Sequence, residues 1–139
     1  MLNRRNRRSG RRGNAVLETA LVLPILLALA FGTVEFGHFY YVRHNMQAAA
    51  REGARAAIPA AATNADVTSA IAASLTAAGL QGSGYSVVLS PSNVATATAG
   101  TSVSVTVQVN WGAVGFRPLG VISSSKQVKG VVVMRKEAP

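Results

Sequence analysis

A long apolar stretch near the N-terminus constrains the folding of this chain more than any other feature. Between residues 15 and 39, the only polar or charged side chains are Glu18, Thr19, Thr33, Glu35 and His38. As a helix rising 1.5 Å per residue, this stretch would measure about 37 Å, which is enough to cross the roughly 30 Å hydrocarbon core of a bilayer. The sequence therefore predicts one membrane-spanning helix over residues 14–41.

Basic residues precede this stretch, and aromatic residues follow it. Six arginines lie within residues 1–12. At the other end, an aromatic cluster is followed by Arg43 and consists of Phe36, Phe39, Tyr40 and Tyr41. Cationic flanks favour the cytoplasmic side of a membrane, and aromatic side chains favour its interfaces. We therefore expect a single-pass protein with its N-terminus inside and its C-terminal domain outside.

The charge distribution argues against nucleic acid as a partner. The net charge is +9, but the six leading arginines leave only eight basic residues against five acidic ones in the rest of the chain. A residual charge of +3 is too small and too dispersed for a phosphate-binding surface. Since the chain has no cysteine, disulfides and thiolate metal sites are excluded.

The residue inventory also predicts no catalytic, metal or cofactor site. His38 and His44 are six positions apart, so they do not share a helix face, and no third metal ligand is near in sequence. The C-terminal region has few acids, no serine near a histidine, and no glycine-rich phosphate loop followed by lysine. We therefore expect neither an enzyme nor a protein that binds a small-molecule substrate.

Two acids inside the apolar stretch need an explanation, because a charged side chain at mid-membrane costs about 2.5–3.5 kcal/mol. Glu18 is only six residues from Arg12. It either reaches the headgroup region or pairs with a cation from another subunit, and position alone does not separate these readings. Glu35 precedes the aromatic cluster by one turn and is expected to reach the outer interface. Its alternative role is a second intramembrane site.

A set of short motifs resembles a known family. Residues 11–57 are similar to the N-terminal region of TadE-like proteins, the minor pilins or pseudopilins of the tight-adherence branch of type IV pilus systems. The resemblance covers about a third of the chain. It rests on Gly13 with Glu18, LVLP at residues 21–24, FGTVEFG at residues 31–37 and AREGAR at residues 50–55.

The resemblance implies a processing site and a set of partners. A prepilin peptidase would cut between Gly13 and Asn14 and remove a basic leader, residues 1–13. Glu18 would become the fifth residue of the mature chain and would meet the new N-terminal amine of a neighbouring subunit. The partners would be other pilin or pseudopilin subunits and the pilus assembly platform. The location would be the cytoplasmic (inner) membrane, with later association with the pilus.

Helical composition continues beyond the membrane segment. Residues 42–58 are rich in alanine, and Pro59 predicts a stop, so this segment is expected to form a stalk. Ala49, Gly53 and Ala57 recur every four residues, which would let another helix approach closely. A plain alanine-rich helix is the alternative.

Residues 59–139 are predicted to form a small α+β domain. A short helix capped by Asp66 would present an apolar stripe of Val67, Ile71, Leu75 and Ala78 and would end at Gly79. Three strands are predicted, at residues 85–89, 103–109 and 127–134. The expected fold class is therefore α+β, with a long N-terminal helix followed by a small antiparallel sheet that one short helix covers.

These observations predict a minor pilin-like subunit that supports assembly of a pilus used in adherence or secretion. The alternative is an uncleaved, single-pass scaffold or binding protein of a secretion machinery. In that case the leader would stay on the chain and the outer domain would capture the partner.

Overall fold

The fold consists of one very long helix and a small sheet built against its C-terminal part. The computed structural model describes residues 9–137, with side chains described from Gly13 onwards. In chain order, its elements are α1 (Ser9–Ala57), α2 (Asn64–Ala77), β1 (Ser86–Ser90), β2 (Ser102–Asn110), α3 (Trp111–Val114) and β3 (Gln127–Arg135). The predicted α+β class, with a long apolar helix ahead of a small antiparallel sheet, is confirmed.

Helix α1 runs without interruption for 49 residues, or about 73 Å. Pro24 lies within it. The helix ends at Ala57. The next residue, Ile58, stands before Pro59, and helical conformation is disfavoured for a residue that precedes a proline. The sequence predicted this end.

The sheet is antiparallel throughout and has β2 at its centre, in the order β1-β2-β3. Along β2, the valines alternate with polar residues, and each valine is almost completely buried. This strand therefore has one face in the core and one face outward, as its sequence pattern predicts. The buried valines are Val103, Val105, Val107 and Val109.

Helix α1 supplies the main cover of the sheet. Its buried face packs against β2 and β3, and α2 packs on α1 through Val67, Ile71 and Leu75. The sequence predicted that a short helix would cover the sheet, but the small side chains of α1 let the long helix itself lie there. The buried face comprises Val42, Met46, Ala49, Ala50, Gly53, Ala54 and Ala57.

One glycine allows β3 to lie directly against the backbone of α1. A Cβ atom added to Gly130 would lie within 2.5 Å of the Gln47 backbone nitrogen. Beside this contact, the Gln47 side-chain amide donates to the Val131 carbonyl (3.0 Å) and accepts from the Val131 N–H (3.2 Å). Gln47 thus covers part of an edge strand whose backbone would otherwise be open to another strand.

Both ends of α2 follow known capping motifs. Thr63, rather than the predicted Asp66, is the N-cap. Asp66 is the third helical residue of a capping box, in which its carboxylate accepts from the Thr63 N–H (2.9 Å) and hydroxyl (2.7 Å). At the other end, Gly79 adopts φ +69°, and the Leu80 N–H donates to the Leu75 carbonyl, which forms a Schellman motif.

The capping box predicts a pH-dependent contribution to stability. The hydrogen bonds from the Thr63 hydroxyl and N–H lower the pKa of Asp66 below its ordinary value. A lowered folded-state pKa stabilises the domain above the ordinary pKa, and this stabilisation disappears as pH falls through the folded value. We expect Asp66→Asn to lower the thermal midpoint near neutral pH but to match wild type well below pH 4. Circular dichroism in detergent measures both midpoints. If the difference in thermal midpoint between Asp66→Asn and wild type is the same at neutral pH and well below pH 4, the ionised Asp66 carboxylate does not stabilise the domain through the capping box.

Candidate functional site

The N-terminal part of α1, residues 13–31, is apolar and exposed, and is here named the rod. All 19 residues from Gly13 to Phe31 are exposed, and the length of about 28 Å matches the hydrocarbon core of a bilayer. The hydroxyls of Thr19 and Thr33 donate to carbonyls one turn earlier, Ala15 and Leu29, so neither needs water. Within residues 9–137, α1 is the one helix long and apolar enough to cross a membrane. This helix indicates single-pass membrane anchoring.

Glu18 is the acidic residue on this rod. Its side chain is exposed and borders a shallow depression with Val22, Leu23 and Leu26. Among the side chains from residue 13 to 137, none donates a hydrogen bond or forms an ion pair with its carboxylate. Asn14 lies four residues earlier and therefore on the same helix face. An amine created at Asn14 would thus lie one turn from Glu18 of the same chain and would be open to a neighbouring one.

Instead of extending freely toward a membrane interface, as the sequence predicts, the Glu35 side chain is enclosed by the protein. Its side chain is fully buried. One carboxylate oxygen accepts the Ile122 N–H at 2.8 Å, and the other accepts the Leu119 N–H at 3.2 Å. The reason is that the loop between α3 and β3 folds back along α1 and brings two backbone donors to the carboxylate. Glu35 thereby attaches this loop to the end of the bare rod.

The next turns of α1 hold the same region through aromatic contacts. The His38 ring Nε2 lies 2.9 Å from the Val114 carbonyl, which can only accept, so this nitrogen carries the proton. The ring of Phe39 meets the fully buried Trp111 edge to face, with centroids 5.3 Å apart. The Tyr41 hydroxyl donates to the Ala78 carbonyl. These side chains attach α3 and the C-terminal end of α2 to α1.

The predicted aromatic cluster therefore divides between two faces of the helix. Phe36 and Tyr40 are exposed, at 46% and 61%, and lie four residues apart on the face away from the domain. Phe39 packs against the core instead, and the Tyr41 hydroxyl donates a hydrogen bond to the Ala78 carbonyl at the C-terminal end of α2. Tyr41 is nevertheless 48% exposed, so Phe39 is the one member of this cluster that packs against the core.

The predicted close-packing residues lie inside the domain. Ala49 and Ala57 are fully buried, and a Cβ atom added to Gly53 would lie 2.6 Å from Ile71 Cγ1 and 3.3 Å from Val105 Cγ1. The helix that approaches this small-residue face is α2 of the same chain. This face is accordingly closed to other subunits.

Within residues 9–137, no group of three or more His, Cys, Asp or Glu residues could hold a metal ion. An exposed ion pair joins Arg55 and Glu52 at 3.8 Å on the outer side of α1. Lys136 is buried, and its ammonium group donates to the Val94 carbonyl at 2.8 Å.

The sequence held an overlooked signal for the position of Glu35. A spacing of seven residues, close to two helical turns, brings side chains to the same face of a helix. This spacing relates Glu35 to Val42 and Val42 to Ala49. Since Val42 and Ala49 are core residues, this spacing places Glu35 on the domain side of α1 rather than toward lipid. The contact with the loop residues, 84 and 87 positions away, has no local signal.

The comparisons with known proteins concern the N-terminal third of the chain. Residues 13–55 match a family model described as TadE-like protein. The match begins at Gly13 and includes the bare rod, Glu18, Glu35 and most of the buried face of α1. It confirms the resemblance that the sequence motifs indicate. No curated protein and no solved structure matches the chain.

Proposed function

We propose, on the basis of the TadE-like match over residues 13–55, that this chain is a minor pilin-like (pseudopilin) subunit. The match suggests a protein of the tight-adherence pilus system. The finer proposal is that the subunit supports assembly of that pilus, which serves adherence or secretion. The observation that carries it is the bare apolar rod of membrane length with Glu18 near its start.

The proposed mechanism uses the rod twice. It first keeps the subunit in the cytoplasmic membrane, with residues 1–13 inside and the domain outside. The arginines of the leader oppose extraction, because each charge would have to leave the cytoplasmic face. Once a prepilin peptidase has cut between Gly13 and Asn14, the same exposed surface can pack against the helices of other pilin or pseudopilin subunits.

Glu18 sets the register of this packing in the proposal. A carboxylate surrounded by apolar side chains is costly unless a cation meets it. Cleavage supplies that cation as the amine of Asn14. Because the structure leaves Glu18 open on the rod, the amine of an adjacent subunit has access to it. The role is structural, so we propose no enzymatic activity, no cofactor and no small-molecule or nucleic-acid partner.

The intact mass of the protein tests the processing step. We expect material extracted from membranes of pilus-forming cells to lack residues 1–13, and to retain them when the prepilin peptidase is absent. A mature chain that still begins at Met1 in competent cells would contradict the proposal. It would favour the uncleaved, anchored scaffold or binding protein.

A charge-neutralising substitution tests the assembly step separately. We expect Glu18→Gln to be inserted and cleaved normally but to fail in co-purification with other pilus subunits, since no carboxylate meets the new amine. Glu52→Gln is the matched control, because Glu52 is an exposed acid on the same helix, outside the rod. If Glu18→Gln co-purifies with the other pilus subunits as well as Glu52→Gln does, Glu18 does not set the register of packing.

A further inference from the structure

We propose that residues 115–123, here named the collar loop, insert their apolar side chains into the acyl–headgroup boundary of the lipid bilayer. The collar loop is the first part of the connection between α3 and β3, and it folds back along α1 to the C-terminal end of the rod. The protein would then contact the membrane at two places, through the spanning helix and through this loop. The proposal requires only that the rod spans a bilayer, and it does not depend on processing or pilus assembly.

Two sets of contacts with α1 position the collar loop. Leu119 lies against Gly32, and Glu35 accepts hydrogen bonds from the loop backbone. Leu119 Cδ1 lies 3.9 Å from the place where a Cβ atom of Gly32 would stand. Gly32 is the residue immediately after the bare rod. With the rod spanning the hydrocarbon core, Leu119 lies at its boundary, and Glu35 lies about 4.5 Å further out along the helix axis. The loop is therefore held at the level of the interface.

The side chains of the collar loop have the chemistry of an interfacial segment. Phe116, Leu119 and Val121 are exposed by 59%, 43% and 59%, although each is strongly apolar. Arg117 between them is also exposed. Apolar side chains that enter the acyl boundary, together with a cation at the headgroups, characterise segments that lie on anionic membranes. Of these side chains, Leu119 lies beside Gly32, the residue that follows the rod.

Three backbone N–H groups of the collar loop are hydrogen-bonded within the protein. Irregular backbone is costly near hydrocarbon unless its polar groups are bonded. Glu35 accepts the N–H groups of Leu119 and Ile122, and the Trp111 carbonyl accepts the N–H of Gly115. The buried Glu35 carboxylate thus accepts hydrogen bonds from N–H groups that lie at the depth of the membrane interface, where less water is present.

A fluorescence experiment on the full chain tests the proposal, and the absence of native cysteine makes it direct. Phe116→Cys and Val133→Cys each receive an environment-sensitive label and are reconstituted in phosphatidylcholine–phosphatidylglycerol vesicles. Val133 is the matched control because it is equally exposed, at 59%, but lies on the outward face of β3. Spin-labelled lipids with the probe high on the acyl chain should quench the Phe116→Cys label several times more strongly and shift its emission to the blue.

Two results would overturn the proposal. Equal quenching of both labels would show that lipid does not reach the collar loop. Protection of the Phe116→Cys label from an aqueous quencher, without lipid quenching and only at high protein-to-lipid ratio, would assign this surface to a second copy of the chain. Because the vesicles contain no peptidase and no other pilus component, neither result bears on the proposed function.

Discussion

Replacement of Gly130 by alanine is expected to destabilise the domain by about 3 kcal/mol, and to reduce the yield of folded protein. The added Cβ would lie within 2.5 Å of the Gln47 nitrogen and of the Met46 carbonyl carbon. These are backbone atoms of α1, so they cannot rotate away as a flexible side chain could. The strand β3 would have to move outward, which would also break the paired hydrogen bonds between Gln47 and Val131.

Thermal unfolding in detergent measures this effect, and the chain offers a matched control. Gly82→Ala introduces the same methyl group where nothing lies within 4 Å and where φ is not positive. We expect its midpoint to stay close to wild type. If Gly130→Ala unfolds at the same temperature as Gly82→Ala, then β3 does not lie against the α1 backbone as described.

Replacement of Glu35 by alanine is expected to release the collar loop from α1, at a cost of about 3 kcal/mol. The substitution removes both acceptors and leaves the N–H groups of Leu119 and Ile122 without their partners. Hydrogen bonds to a carboxylate are stronger than neutral ones, and unpaired donors in a partly buried place add a further penalty. Loss of an acid from the apolar stretch does not hinder membrane insertion, so the effect would be on the folded domain.

Amide hydrogen exchange followed by mass spectrometry locates the change. We expect faster exchange in peptides that contain Leu119 and Ile122, with little change along β2. Glu35→Gln keeps one carbonyl oxygen and should give an intermediate rate, whereas Glu52→Ala, at an exposed acid, should behave like wild type. Unaltered exchange in the collar loop of Glu35→Ala would mean that other contacts hold it in place.

Local patterns in the sequence predict α1, α2 and the three strands, but not the four-residue helix α3. The alternation of valine and polar residues in β2 reflects one buried face, and that pattern needs no tertiary knowledge. The end of α1 before Pro59 and the end of α2 at Gly79 follow from backbone restrictions of single residues. These features depend on neighbours within a few positions, so the sequence carries them.

The remaining features depend on contacts between distant residues. The sequence predicts an exposed Glu35, since the collar loop that encloses its carboxylate comes more than 80 residues later. The cover of the sheet by α1 rests on Gly130 meeting the α1 backbone, which no local pattern indicates. The sequence predicts Asp66 as the N-cap, whereas Thr63, three residues earlier, is the N-cap and forms a capping box with Asp66.

The continuity of α1 has a mechanical consequence. One end of the helix is the rod, and the other end, from Val42 to Ala57, is part of the hydrophobic core. Since one continuous helix contains both parts, a displacement of the rod reaches the sheet through the backbone of α1. Pro24, which lacks a backbone N–H, is the place in the rod where this helix bends most easily.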